Sequence, residues 1–211
     1  PMYTLRCTQR LLRRLPLEPT AGVHAPSTTL GDWYATTLYI RHGQFVLCTS
    51  DRSLLSVIVP AKALGQLPLR LQEAVGSLLH RLGVPAAAVN RETQEMFQAL
   101  VGRTVDRSVL GSMVDISRHC RWRVADRGGT WDPESLALEM AEMPMLSIQA
   151  VFPRERAAQL LGATKQVHEV DGPRRILLCC RRWSTAGDRG WSTRRGPQLM
   201  HYALDRGERD P

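Results

Sequence analysis

Short runs of strand-forming residues, separated by turn signals, fill the stretch from Trp33 to Pro60. β-Branched and aromatic residues favour strands, and Gly, Pro or Asp between such runs favours turns. The runs predict strands over residues 33–40, 45–48 and 54–59. We expect them to form an antiparallel meander, which a weaker strand at residues 2–7 joins.

Helical periodicity dominates the chain after this region. Apolar residues recur at helical spacing beyond Pro68, and Gly83 ends that helix. The helix that Asn90 would cap is expected to carry Phe97 and Leu100. Other helix starts are indicated by Thr8, Asp106 or Ser108, Asp132 and Pro153. Because strands precede helices, the sequence predicts an α+β fold, with an antiparallel sheet of three to five strands covered by four or five helices.

The C-terminal region differs from the rest of the chain in charge and pattern. The chain carries a net charge of +8, and seven arginines accompany one acid between Arg174 and Arg195. Beyond residue 162 the apolar periodicity fades into a stretch rich in Arg, Gly and Trp. We therefore predict an α+β domain over residues 2–162 and a basic extension over residues 163–211.

Two motifs are the most distinctive in the sequence: LGDWYA at residues 30–35 and DRSVLGSM at residues 106–113. Together with residues 54–61, they resemble the hallmarks of an uncharacterised prokaryotic family, the domain of unknown function numbered 6933. The resemblance covers about residues 2–162 and implies a domain boundary near its end. It implies no activity. In that family, asparagine is expected where this chain has Asp106.

The best-known motifs for nucleotide, metal and acyl chemistry are absent from the sequence. The five cysteines match no metal or disulfide framework, so we expect reduced thiols, no metal and no cofactor. No run of about 18 apolar residues exists and no apolar leader begins the sequence. These patterns predict a cytoplasmic protein without a membrane span, and they do not indicate an oligomeric state.

Asp115 and His119 are candidates for catalysis, because residues four apart on a helix share a face. A carboxylate that orients an imidazole is an arrangement for general-base catalysis. Arg107 would lie at the N-terminus of the same helix, where it and the backbone amides can hold a phosphate. One hypothesis is therefore a small hydrolase or RNase-like enzyme. The alternative is an ordinary surface ion pair between Arg107 and Asp115.

Arginines interleaved with tryptophans make the basic extension typical of a nucleic-acid contact. Guanidinium groups neutralise phosphates, and indoles stack on exposed bases. The candidate residues are Arg174, Arg175, Arg181, Arg182, Trp183, Trp191, Arg194 and Arg195. They suggest a nucleic-acid-associated accessory protein, for example from a mobile-element, defence or toxin–antitoxin cassette. A protein-interaction module whose tail binds a partner, or a solvated tail without a function, is the alternative.

Overall fold

The structure is a computed structural model that describes residues 2–20, 25–145 and 152–163. All of these residues belong to one unit, Pro1–His168. The eight candidate nucleic-acid residues, from Arg174 to Arg195, lie outside the described residues.

A five-stranded mixed sheet is central to the described residues. Its strands are β1 (Tyr3–Cys7), β2 (Trp33–Ile40), β3 (Gly43–Ser50), β4 (Ser56–Pro60) and β5 (Ala99–Arg103), in the spatial order β4-β3-β2-β1-β5. The meander of β2, β3 and β4 is antiparallel, as the sequence predicts. The expectation of a wholly antiparallel sheet is wrong, because β1 pairs in parallel with both β2 and β5.

Long connections explain the parallel pairings. Parallel neighbours need a crossover of about a dozen or more residues, whereas antiparallel neighbours need only a tight turn. Residues 8–32 connect β1 to β2, and residues 61–98 connect β4 to β5. Both connections are long enough to return the chain to the end of the sheet where the previous strand began.

Strand β5 occupies a stretch that the sequence assigned to a helix capped by Asn90. The helix in this region instead spans Ala86–Glu95, and Leu100 lies in β5. Phe97, expected in the helix's apolar face, is 82% exposed in the connection. The assignment failed because a short apolar run fits a helix or a strand, and here β1 supplies a hydrogen-bonded neighbour along the whole of β5.

Six helices lie in the described residues, where four or five were expected. They are α1 (Gln9–Leu12), α2 (Leu67–Arg81), α3 (Ala86–Glu95), α4 (Arg107–Asp126), α5 (Pro133–Ala141) and α6 (Pro153–Leu160). Two predicted N-caps form: Asp106 accepts a hydrogen bond from the Ser108 amide at 2.7 Å, and Asp132 accepts one from the Ser135 amide at 2.9 Å. None of the helices in the described ranges has the length and apolar character needed to cross a membrane.

Each face of the sheet has its own hydrophobic core. Neighbouring residues of a strand point to opposite faces, so Trp33 belongs to one core and Tyr34 to the other. Helix α2 packs on the first core through Leu71 and Val75. Helix α4 covers the second core, and α5 contributes residues to both. The sheet therefore lies between two helical layers, which fixes α4 against one face.

Strand β2 extends past the end of its neighbour β1. The last paired residues are Cys7 and Ala35, and the Thr8 amide then donates to the Ala35 carbonyl at 3.0 Å. From Thr36 to Ile40, in the part of the chain that the structure describes, this edge of β2 has no strand beside it. A groove between the free edge of β2 and helix α4 is the result.

Candidate functional site

Helix α4 presents three stripes of side chains. Residues three, four and seven apart share a side, because each residue turns the helix by about 100°. The buried stripe packs on β2 and β3 and consists of Val109, Met113, Ile116, Cys120 and Val124. The second, the histidine stripe, consists of Ser108, Ser112, Asp115, His119 and Trp122. The third, the arginine stripe, consists of Arg107, Gly111, Val114, Arg118 and Arg121.

The histidine stripe lines a groove opposite residues 143–145. This histidine groove has a volume of about 650 Å³, and Arg118 also contributes to its wall. Asp115 and His119 both line it, as their spacing predicts. The Asp115 carboxylate is 3.5 Å from the Arg118 guanidinium, and both side chains are largely exposed. The surface ion pair considered for Asp115 therefore forms, but with Arg118 rather than Arg107.

The surroundings of His119 favour the neutral form of its imidazole. Partial burial lowers the pKa of the imidazole, the Arg123 guanidinium lowers it further, and Glu139 opposes these effects. The ring also contacts the Trp122 indole, with the ring centroids 5.5 Å apart and the planes inclined at 50°. A neutral imidazole at neutral pH can accept a proton, and it can equally take part in ring stacking.

The structure does not bring Arg107 to the other two candidate catalytic residues. Arg107 and His119 are 12 residues apart, which places them about 18 Å apart along the helix axis. They also lie on different stripes, and Arg107 does not line the histidine groove. An anion bound by Arg107 would therefore be out of reach of the His119 imidazole.

A second groove runs on the other side of α4, along the free edge of β2. Its first part, about 410 Å³, has Thr8, Thr36 and Thr37 on one wall and Arg118 and Arg121 on the other. Its continuation, about 480 Å³, is lined by Tyr39, Arg41, Arg121 and Gly129, among others. Arg121 lines both parts, and we call the whole the β2–α4 groove.

Several arginines lie along the β2–α4 groove. The Arg10 guanidinium lies 4.9 Å from the Tyr39 ring centroid and donates to its hydroxyl at 3.1 Å. Arg13 and Arg103 line a separate hollow where β1 and β5 end. Among the residues that the structure describes, Arg41 and Arg121, which line the groove, and Arg10, beside Tyr39, are exposed and have no carboxylate within ion-pairing distance.

The fold brings Arg10, Arg41 and Arg121 to the groove from α1, the end of β2 and α4. Strands β1, β2 and β5 are mutually parallel, so their carboxyl ends point the same way. Helix α1 follows β1 at that end, and α4 begins there, soon after β5. The carboxyl ends of parallel strands are also where open α/β sheets bind ligands. Helical spacing in the sequence could have found the arginine stripe, but no sequence signal links it to Arg10 and Arg41.

The first part of the LGDWYA motif lies in a buried polar network at the start of β2. Asp32 accepts a hydrogen bond from the Thr4 amide at 2.8 Å and pairs with the Arg6 guanidinium at 2.7 Å. Glu92 accepts hydrogen bonds from the Thr29 and Leu30 amides at 2.8 and 3.0 Å. The motif therefore stabilises the start of β2.

Asp51 is the incompletely satisfied member of this network. Its Oδ1 atom is buried and has no hydrogen-bond partner within the described ranges. Burial raises the pKa of Asp51 to about 6, and the nearby Asp32 carboxylate adds to the increase. No group of three His, Cys, Asp or Glu side chains in the described residues is placed to bind a metal. We therefore assign this network a structural role.

Comparison with known proteins identifies a family for most of the chain. The family described as Domain of unknown function (DUF6933) matches residues 4–156, which include α4 and the residues of both grooves. No curated protein and no solved structure matches the chain. The chain belongs to the family of the domain of unknown function DUF6933.

Proposed function

We propose that the protein binds nucleic acid and that the arginines around the β2–α4 groove contact the phosphates. The observation that carries the proposal is that Arg41, Arg118 and Arg121 all line the groove and are exposed, and that Arg41 and Arg121 have no carboxylate partner in the described residues. Guanidinium groups bind phosphate through paired, charge-assisted hydrogen bonds, and each phosphate contact releases bound counterions. Two cavities that share Arg121 offer a polymer more than one contact, which a small anion cannot use.

The direct test is binding of labelled single- and double-stranded RNA and DNA, measured by fluorescence anisotropy. We expect micromolar or tighter binding that weakens steeply between about 50 and about 200 mM salt. The test variant is the double substitution Arg118→Ala and Arg121→Ala in the full chain. Two lost phosphate contacts should reduce the slope of log K against log salt by about 1.4 on a single strand.

A matched control separates a local contact from a change in net charge. Arg81 and Arg154 are also exposed, but they pair with Glu134 and Glu142 and lie on α2 and α6. The double substitution Arg81→Ala and Arg154→Ala removes the same two charges and should leave affinity and salt slope nearly unchanged. Equal losses in both double variants, or no binding by the unmodified chain at about 50 mM salt, would refute the proposal.

The arginines and tryptophans of the basic extension belong to the same proposal. A variant with Arg181, Arg182, Arg194 and Arg195 changed to Ala measures their share in the full chain. If this variant alone loses binding, the extension and not the groove carries the interaction. If it binds like the unmodified chain, these arginines do not contribute to nucleic-acid binding. The remaining hypothesis is then that the extension binds a protein partner, which co-purification from the native host would test.

An enzyme that uses Asp115 and His119 is the second candidate function. The observation in its favour is that both residues line the histidine groove and that the pKa of His119 is lowered. Its weakness is the ion pair between Asp115 and Arg118, together with the distance to Arg107. Nuclease assays of the unmodified chain and of His119→Ala test it. Equal activity in the two proteins would exclude His119 as a catalytic base.

A further inference from the structure

We infer that the protein selects single-stranded nucleic acid and that one base stacks on the indole of Trp122. This inference rests on the proposed function, because the neighbouring arginines must first hold the phosphates. It goes beyond that proposal by naming the substrate class and the side chain that recognises it.

Trp122 is placed as a stacking platform. The indole is 56% exposed, whereas Trp33, in the sheet, is fully buried. It lies at one end of the histidine groove, whose volume of about 650 Å³ leaves room for a flat base. The His119 ring, with its centroid 5.5 Å from that of the indole, also lines the groove. A base that enters here meets two rings and the apolar side chains of Met143 and Met145.

The phosphate-binding and stacking surfaces meet at Arg118. This residue lines both the histidine groove and the β2–α4 groove. Trp122 follows Arg118 by four residues, so the two side chains are neighbours one turn apart on α4. The Arg123 guanidinium also lies 5.8 Å from the Trp122 ring centroid. A strand whose phosphates contact Arg118 and Arg121 therefore passes beside the indole.

Stacking on Trp122 requires an unpaired base. In a duplex, each base is already stacked on its neighbours and its faces are not accessible to a side chain. A single strand can turn a base out at low cost, and stacking on an aromatic side chain contributes about 1–3 kcal/mol per base, or roughly 5- to 150-fold in affinity. In the histidine groove Arg118 is paired with Asp115, whereas Arg41 and Arg121 line the β2–α4 groove without a carboxylate partner in the described residues, so the phosphates are expected on the arginine side of α4.

Three probes of equal length distinguish stacking from charge. They are a single-stranded oligonucleotide, the same strand without bases, and a duplex. For Trp122→Ala in the full chain, we expect a loss of about 5- to 150-fold for the single strand only. Binding of the abasic strand and of the duplex should not change. Trp122→Phe, which keeps an aromatic ring, should restore most of the lost affinity.

The outcomes separate this inference from the proposed function. If Trp122→Ala binds the single strand normally, or loses affinity equally for all three probes, the inference is wrong even where the arginine variants behave as proposed. If the double arginine variant binds all three probes normally, the proposed function fails first. If Trp122→Ala is unstable, quenching of tryptophan fluorescence by the single strand tests the inference instead. The single strand should quench the unmodified chain more than Trp122→Phe, and equal quenching would overturn the inference.

Discussion

Replacing Asp51 by asparagine should stabilise the protein at neutral pH. Burial raises the pKa of Asp51 from 3.8 in the unfolded chain to about 6 in the fold. The folded state therefore binds the Asp51 proton more tightly than the unfolded state does. The stability linked to this proton is fully present below pH 3.8 and is lost as the pH rises through about 6. Asparagine stays neutral and does not incur this loss.

The shift of the Asp51 pKa sets the size of the effect. A difference of about 2 pKa units corresponds to roughly 3 kcal/mol, since each unit is worth about 1.4 kcal/mol. Because Asp51 is only partly buried and asparagine fits the site imperfectly, we expect a gain of about 1–3 kcal/mol at pH 7. The gain should shrink towards zero near pH 4.

Urea unfolding from about pH 4 to about pH 8 measures this effect. Burial also raises the pKa of Glu92, so the unmodified chain alone would mix two contributions. The difference in the free energy of unfolding between Asp51→Asn and the unmodified chain isolates Asp51. Asp126→Asn, at an exposed carboxylate on α4, is the control and should change stability little. The reasoning would be refuted if the difference in the free energy of unfolding stayed constant with pH, or if Asp51→Asn were less stable than the unmodified chain at pH 7.

Three further predictions test the motifs and the groove. Gly31 has a φ of +83°, and an added Cβ would lie 2.0 Å from the Asp51 Oδ1 atom. Gly31→Ala should therefore lower the free energy of unfolding, measured in urea, by about 2–4 kcal/mol. A loss below about 1 kcal/mol would show that the site relaxes freely. Asp106→Ala should cost about 0.5–2 kcal/mol in thermal or urea unfolding, whereas Asp106→Asn should cost little, because asparagine caps as well. Asp115→Asn should strengthen binding of a single strand in the anisotropy assay by up to about fivefold, because Arg118 is released from its ion pair; weaker binding would contradict the groove assignment.

Local signals predicted the parts of the fold that local interactions determine. The β2–β3–β4 meander follows from strand-forming runs with short turns between them, and the caps of α4 and α5 follow from Asp106 and Asp132. The parallel pairing of β1 has no local cause. It depends on long connections and on the helices that pack over them. Strand β5 was missed because its five residues are too few to show a period of two rather than 3.6.

The same contrast between local and long-range interactions applies to the residues of the candidate site. Helical spacing was enough to bring Asp115 and His119 together, and the structure confirms that they line one groove. The same spacing argues against grouping Arg107 with them, because 12 residues turn a helix by about 120° beyond whole turns. By contrast, Arg10 and Arg41 reach α4 only through the sheet, and their positions in the sequence give no sign of it.

The histidine groove and the β2–α4 groove, which lie on two sides of helix α4, meet at Arg118. In the free protein this guanidinium pairs with Asp115, yet both groups are exposed, so the pair contributes only about 0–1 kcal/mol. A phosphate can therefore replace the Asp115 carboxylate at small cost. Under the proposed function, binding of a phosphate on one side of α4 and of a base on the other would be coupled through Arg118, which lines both grooves, and Arg118→Ala is expected to weaken both.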